Sequence, residues 1–144
     1  METVHYYDTF LKWDEGRRGT LSEPTMPDIT VATPPEFPGG LPNTWSPEHL
    51  FTASLNICLM TTFLAIAENS KLVFTSYSCV GRGKLEKVDG KFMISEVELK
   101  PEITVEAEKD IERAGRIIEK AEMHCLISNS VKTKIILNPE IKVG

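Results

Sequence analysis

Residues 46–69, SPEHLFTASLNICLMTTFLAIAEN, decide the fold of this chain. Ser46 is a capping residue, Pro47 suits the first helical position, and Glu48 favours the positive end of the helix dipole. The spacing predicts a helix from there to Asn69, close to 23 residues and about 34 Å long. Leu50 to Ala67 runs 18 residues without a charge, a length at which a membrane span enters consideration. Thr52, Ser54, Asn56, Thr61 and Thr62 interrupt it, and no basic residues flank it, so a buried core helix is the expectation. Leu50, Phe51, Leu55, Ile57, Leu59, Met60, Phe63, Leu64 and Ile66 cover every side of that helix. A helix apolar all round must be buried all round. A chain of 144 residues can hardly surround such a rod alone, so a homodimer is expected.

Outward from this helix the pattern changes to strands. On the N-terminal side, His5 to Trp13 is rich in β-favouring residues, and Glu15-Gly16 with Gly19 supplies a turn into Gly19–Glu23. Asp28 to Ala32 reads as a third strand, and Thr33 to Trp45, with four prolines and two adjacent glycines, as a loop. On the C-terminal side, Leu72–Leu85 and Phe92–Val105 flank an Asp89-Gly90 turn, a strong hairpin signal. A second helix is expected from about Lys109 to His124, with Ile111, Ala114, Ile118, Ala121 and Cys125 along one face. Thr133–Leu137 closes the chain as a strand. The expected order is β-β-β-α-β-β-α-β, an α+β fold in a single domain over residues 1–144.

The net charge of −5 argues against nucleic acid or an anionic membrane as partner, although Lys12, Arg17 and Arg18 could form a local basic patch. The first residues lack the apolar core of a secretory signal. Three cysteines, with no Cys-x-x-Cys pair, fit neither a zinc knuckle nor a thioredoxin-type motif. A cytoplasmic protein is expected, in which any disulfide is transient or catalytic.

Cys58 lies midway along the first helix and Cys125 at the end of the second, both on faces directed at the core. The two could meet there, or each could serve simply as a small buried hydrophobe. A reactive thiolate needs a cation to lower its pKa. Arg17 and Arg18 are candidates, with Glu48 able to orient a guanidinium; a solvated turn charge and a helix-dipole carboxylate are the alternatives. His124 reads as a helix-end residue, with metal binding alongside Cys125 as a rival. His5 and His49 are isolated, no cluster has metal-ligand spacing, and Cys79 reads as structural.

Ser46-Pro47-Glu48-His49-Leu50-Phe51-Thr52-Ala53, followed by Cys58, resembles the opening of the OsmC/Ohr family of peroxidases, in which the peroxidatic cysteine stands ten residues after the glutamate. Glu119 to Ser128, with Cys125-Leu126-Ile127-Ser128, resembles the family's second motif, Cys-Pro-x-Ser after a helix. Lys87 to Phe92 looks like its central hairpin. The resemblance spans about residues 5 to 138. It implies an intertwined homodimer with sheets wrapped around two central helices and sites at the interface. It also implies reduction of organic hydroperoxides, and in some members hydrogen peroxide, with no metal or organic cofactor. Cys58 would be the peroxidatic thiol and Cys125 the resolving one, activated by an arginine, Arg17 in preference to Arg18, and by Glu48. A small dithiol or lipoyl-type protein would reduce the resulting disulfide. On a straight helix Glu48 and Cys58 stand about 15 Å apart, so either the helix starts later or bends, or Glu48 serves the partner's site; both readings stay open. Leu126 replaces the usual proline, a departure expected to loosen that helix end. The alternative is a diverged, non-catalytic dimer that keeps the fold and holds its cysteines as structural residues.

Overall fold

The computed structural model describes residues 3–144; Met1 and Glu2, the start of the expected domain span, lie outside the described residues. The chain forms two compact units, one ending at Leu50 and the other running from Phe51 to Gly144.

The first unit is an antiparallel meander of β1 (Phe10–Glu15), β2 (Arg18–Glu23) and β3 (Met26–Ala32). Gly16, at φ +53°, makes the first turn, a backbone conformation that costs glycine little. β1 begins at Phe10 rather than at His5, because Phe10 pairs with Ser22 near the end of β2 and earlier residues have no ladder to join. The proline-rich loop is ordered. Leu41 N–H donates to the Thr33 carbonyl at 3.0 Å, and Ala32 N–H to the Trp45 carbonyl at 2.9 Å. At Gly40 a Cβ would stand 1.9 Å from the Pro34 carbonyl oxygen, so the loop closes only with glycine there. Ser46, fully buried, then caps the first long helix: its hydroxyl accepts from His49 N–H at 3.2 Å.

That helix, α1, runs from Pro47 to Asn69 as the sequence predicts. It is long and apolar enough, by length and composition, to cross a membrane. Its residues Leu55, Leu59, Phe63 and Ala67, however, sit in the core of the second unit. Ile57, Met60 and Leu64 remain exposed, so the all-round burial the sequence demands is not met within one chain.

Against α1 lies β4 (Phe74–Val88), hairpinned to β5 (Lys91–Val105). Asp89 and Gly90 take φ of +51° and +79°, the mirror-image turn that matches strand twist. Gly83 lets β4 approach the helix, since a Cβ there would meet Thr52 Oγ1 at 2.4 Å. The second helix, α2 (Ile111–Met123), is entered through a short 3-10 turn at Glu108–Asp110. It buries Ala114, Ile117, Ile118 and Ala121. β6 (Lys134–Leu137) adds parallel to β5.

The sequence reading stops at β6, but the chain continues into β7 (Glu140–Val143), also parallel to β5. β6 and β7 are two pieces of one edge, broken at Asn138-Pro139 opposite Lys100-Pro101. Pro101 and Pro139 lack the N–H a continuous ladder requires. The observed order is β-β-β-α-β-β-α-β-β, an α+β fold with one strand more than expected.

Candidate active site

Cys58 and Cys125 meet in the second unit. α1 carries Cys58 on its buried face; α2 ends at Met123, and the chain turns through His124 to bring Cys125 fully inside. Both thiols are reduced. Each thiol acts on the other, and the two pKa values move in opposite directions as a result, Cys58 down and Cys125 up. Burial pushes the Cys58 thiol up, but hydrogen bonds from Cys125, Ile127 N–H, the Thr62 hydroxyl and Leu126 N–H outweigh it and hold Cys58 below the ordinary thiol range. Thr62 Oγ1 lies 3.9 Å from Cys58 Sγ, one helical turn on. At Cys125, burial and the hydrogen bond given to Cys58 push the thiol up, against a smaller downward pull from Ser128. One cysteine is therefore disposed to be the thiolate and the other to stay protonated.

The segment after Cys125 is firmly held. Asn129 N–H donates to the Cys125 carbonyl at 3.0 Å, and the Ser130 hydroxyl to the Leu126 carbonyl at 2.7 Å. Those two hydrogen bonds hold the chain at the position where the family has proline. Leu126 instead supplies an N–H that proline cannot. Thr62 and the Leu126 and Ile127 amides are contributors that the sequence alone did not single out. Thr62 alone left a signal, its four-residue offset from Cys58.

Arg17 and Arg18 lie in the first unit and differ in circumstance. Arg18 is paired with Glu15 across the hairpin. Among the described residues Arg17 makes no ion pair; its stem packs against Gly39, whose φ is +79°. Both arginines line a cavity of about 550 Å³ walled by Leu11, Trp13, Leu21 and Val31. Glu48 is half-buried in the first turn of α1.

The remaining candidates have surroundings of their own. His124 is exposed while Cys125 is buried, so the two do not share a face. His49 Nδ1 lies 2.7 Å from the Ser46 hydroxyl, with its ring edge-on to Trp45. Cys79 sits half-buried in β4, its thiol pushed up by burial. Among the described residues no group of three or more His, Cys, Asp or Glu gathers as metal ligands would.

An α+β chain whose two helices bring a pair of inequivalent thiols together belongs, by construction, with dithiol proteins. The family model of OsmC-like proteins matches residues 40–140, and the chain belongs to that family. No curated protein matches this chain. Among solved structures, an OsmC-like protein of unknown function from Vibrio cholerae is 22% identical with a TM-score of 0.87, covering 94% of this chain and 99% of that one. An organic hydroperoxide resistance protein from Elizabethkingia anophelis is 24% identical with a TM-score of 0.76, the match covering both chains fully. An organic hydroperoxide resistance protein OsmC from Legionella pneumophila is 20% identical with a TM-score of 0.70, covering 96% and 99%. At these identities the likeness establishes the OsmC-like fold.

Proposed function

We propose that this protein is a thiol peroxidase that reduces organic hydroperoxides, with Cys58 as peroxidatic and Cys125 as resolving cysteine. The observation that carries the reading is the inequivalence of the two buried thiols, one lowered and one raised by the same hydrogen bond. The Cys58 thiolate attacks the peroxide oxygen, the O–O bond breaks, and the products are a Cys58 sulfenic acid and an alcohol. Cys125 then displaces water from the sulfenic acid to form the disulfide, and a small dithiol or a lipoyl-type protein reduces it by exchange. Arg17, with no ion pair of its own among the described residues, is the cation assigned to the thiolate and to charge developing on the leaving oxygen. Apolar walls around the thiol would suit an alkyl chain better than hydrogen peroxide.

Residues 1–144 act as one OsmC-like domain, and two copies associate through α1. Its exposed Ile57, Met60 and Leu64 fit burial against a second chain. α1 is one helix from Pro47 to Asn69, so Glu48 of each chain is assigned to its partner's thiol. A cytoplasmic setting, where a disulfide is transient or catalytic, goes with this reading.

Consumption of cumene hydroperoxide, with a small dithiol as reductant, tests the proposal. Wild type turns over and Cys58→Ser does not, with a Cys58–Cys125 disulfide seen by mass spectrometry. Absence of turnover and of any peroxide-induced disulfide in wild type would replace this reading with a non-catalytic dimer of the same fold.

A further inference from the structure

The resolving step poses a proton problem. Cys125 must attack as a thiolate, yet burial and its bond to Cys58 keep it protonated. Two polar side chains that the peroxidatic step does not use lie beside it. Ser128, three residues after Cys125, stands close enough to pull down the pKa of both the Cys125 thiol and the Glu122 carboxyl. Glu122 stands three residues before Cys125, whose N–H donates to the Glu122 carbonyl at 3.2 Å. Glu122 Oε1 and Ser128 Oγ are both sealed from solvent, and neither has a hydrogen-bond partner among the described residues. A carboxylate oxygen and a hydroxyl left incompletely satisfied inside a protein carry a free-energy cost that calls for an explanation.

We propose that Glu122 is a positioning residue for the resolving step, receiving the Cys125 proton through the Ser128 hydroxyl as Cys125 attacks Cys58. The inference rests on the dithiol reading above and extends it. Ser128 Oγ takes the Cys125 proton and passes its own to Glu122 in one relay, so the hydroxyl ends neutral. The Cys125 sulfur bonds to the Cys58 sulfur, hydroxide leaves the sulfenic acid, and the proton held by Glu122 returns through solvent to complete a water. Burial pushes the Glu122 carboxyl up despite the Ser128 contact, which makes it a stronger base than a solvated carboxylate. Nothing else nearby competes for the role. Glu119 and Lys120 on the same helix are exposed, as are Glu140 and Lys142 on β7. β5 turns Val97, Leu99, Ile103 and Val105 to the core and alternates its glutamates away. Among the described residues Glu122 makes no ion pair.

A thiol-exchange assay separates this inference from peroxidase activity. Dithionitrobenzoate first forms a mixed disulfide at Cys58, releasing one thionitrobenzoate. Attack by Cys125 then releases the second and leaves the Cys58–Cys125 disulfide. In Glu122→Gln and in Ser128→Ala the second release is expected to slow by about tenfold or more, with the first unchanged. Glu122→Asp should recover part of the rate. The wild-type second phase should rise with pH as Glu122 ionises and then level off, whereas in E122Q it should keep climbing with ionisation of Cys125 itself. A second phase of wild-type rate and pH profile in both variants would overturn the relay. So would an equal slowing of both phases, which marks general disruption. If wild type forms no sulfenic acid with hydroperoxides yet shows the two-phase release, the peroxidase reading fails and the relay stands.

Discussion

At the residue scale, Cys58 and Cys125 have the same side chain and nearly the same seclusion, so their chemistry must be set by neighbours. The decisive neighbour of each is the other. Because Cys125 donates, deprotonation is favoured at Cys58 and opposed at Cys125. Loss of a proton is what activates a thiol, so a lowered pKa moves the onset of reactivity to lower pH. Alkylation of Cys58 by iodoacetamide should reach half its limiting rate at a lower pH than that of an ordinary solvated thiol. Cys125→Ala removes the first of the stabilising donors, and Leu126→Pro removes a backbone one; each should shift the Cys58 profile to higher pH. Peptide-resolved alkylation across a pH series reads both, and a Cys58 profile identical in all three proteins would show that these donors do not set its acidity. Both thiols were legible in the sequence as residues directed at the core. The direction of their inequivalence was not, because it depends on which N–H groups the chain presents after α2 turns out at His124. Leu126 shows the limit most plainly: the departure from proline is visible, but its consequence, an added donor rather than a looser end, needs the fold.

The same reasoning applies to Glu122 and stability. Its carboxyl is raised in the folded chain, so the native state binds that proton more tightly than the unfolded state does. This contribution to stability is present below the unfolded carboxyl pKa and is lost as pH rises through the folded one. Glu122→Gln, which cannot ionise, should therefore be at least as stable as wild type at pH 7, with the difference vanishing in acid. Thermal unfolding at pH 4 and pH 7 checks this. A large loss of stability at pH 7 would show that the carboxylate is a structural anchor instead.

At the element scale, α1 is where local rules and tertiary need agree. The Ser46 cap, the Pro47 start and the charge-free run all appear in the structure where the sequence placed them. Phe63 is the helix's largest fully buried side chain, with its ring centroid 5.2 Å from those of Phe74 and Tyr77 on β4. Truncation there leaves a cavity bordered by strand residues fixed in a long hairpin, which cannot easily collapse into it. Phe63→Ala should lower unfolding free energy by about 3–5 kcal/mol, measured by urea denaturation. A loss well under 1 kcal/mol would mean the helix is not anchored on β4 through this ring. β7 marks the opposite case. Four residues after Pro139, charged at alternate positions, give too weak a pattern to identify a strand, and only the exposed edge of β5 beyond the break at Asn138-Pro139 recruits them. The early start expected for β1 failed for the converse reason: β propensity was there at His5–Thr9, but no strand lay opposite.

At the scale of the whole molecule, one chain leaves apolar surface that it cannot hide. Ile57, Met60 and Leu64 follow one another at three- and four-residue spacing on α1, a continuous apolar stripe, and Ile57 is 56% exposed. A stripe of this kind on a central helix is unfavourable in water at roughly 25 cal/mol for each Å² of apolar surface left exposed. Covering it with an identical stripe from a second copy is the closed, symmetric solution that most soluble oligomers adopt. The reading makes two linked predictions. Wild type should sediment at twice the 16.1 kDa of one chain, and Ile57→Glu combined with Leu64→Glu should give monomers. If Glu48 works across the interface, the monomeric variant should also lose peroxide turnover, although its Cys58–Cys125 pair remains within one chain and should still release thionitrobenzoate in two phases. A wild-type monomer at micromolar concentration would remove the basis for assigning Glu48 to the partner. A monomeric variant with undiminished turnover would show that the thiol is activated from within its own chain.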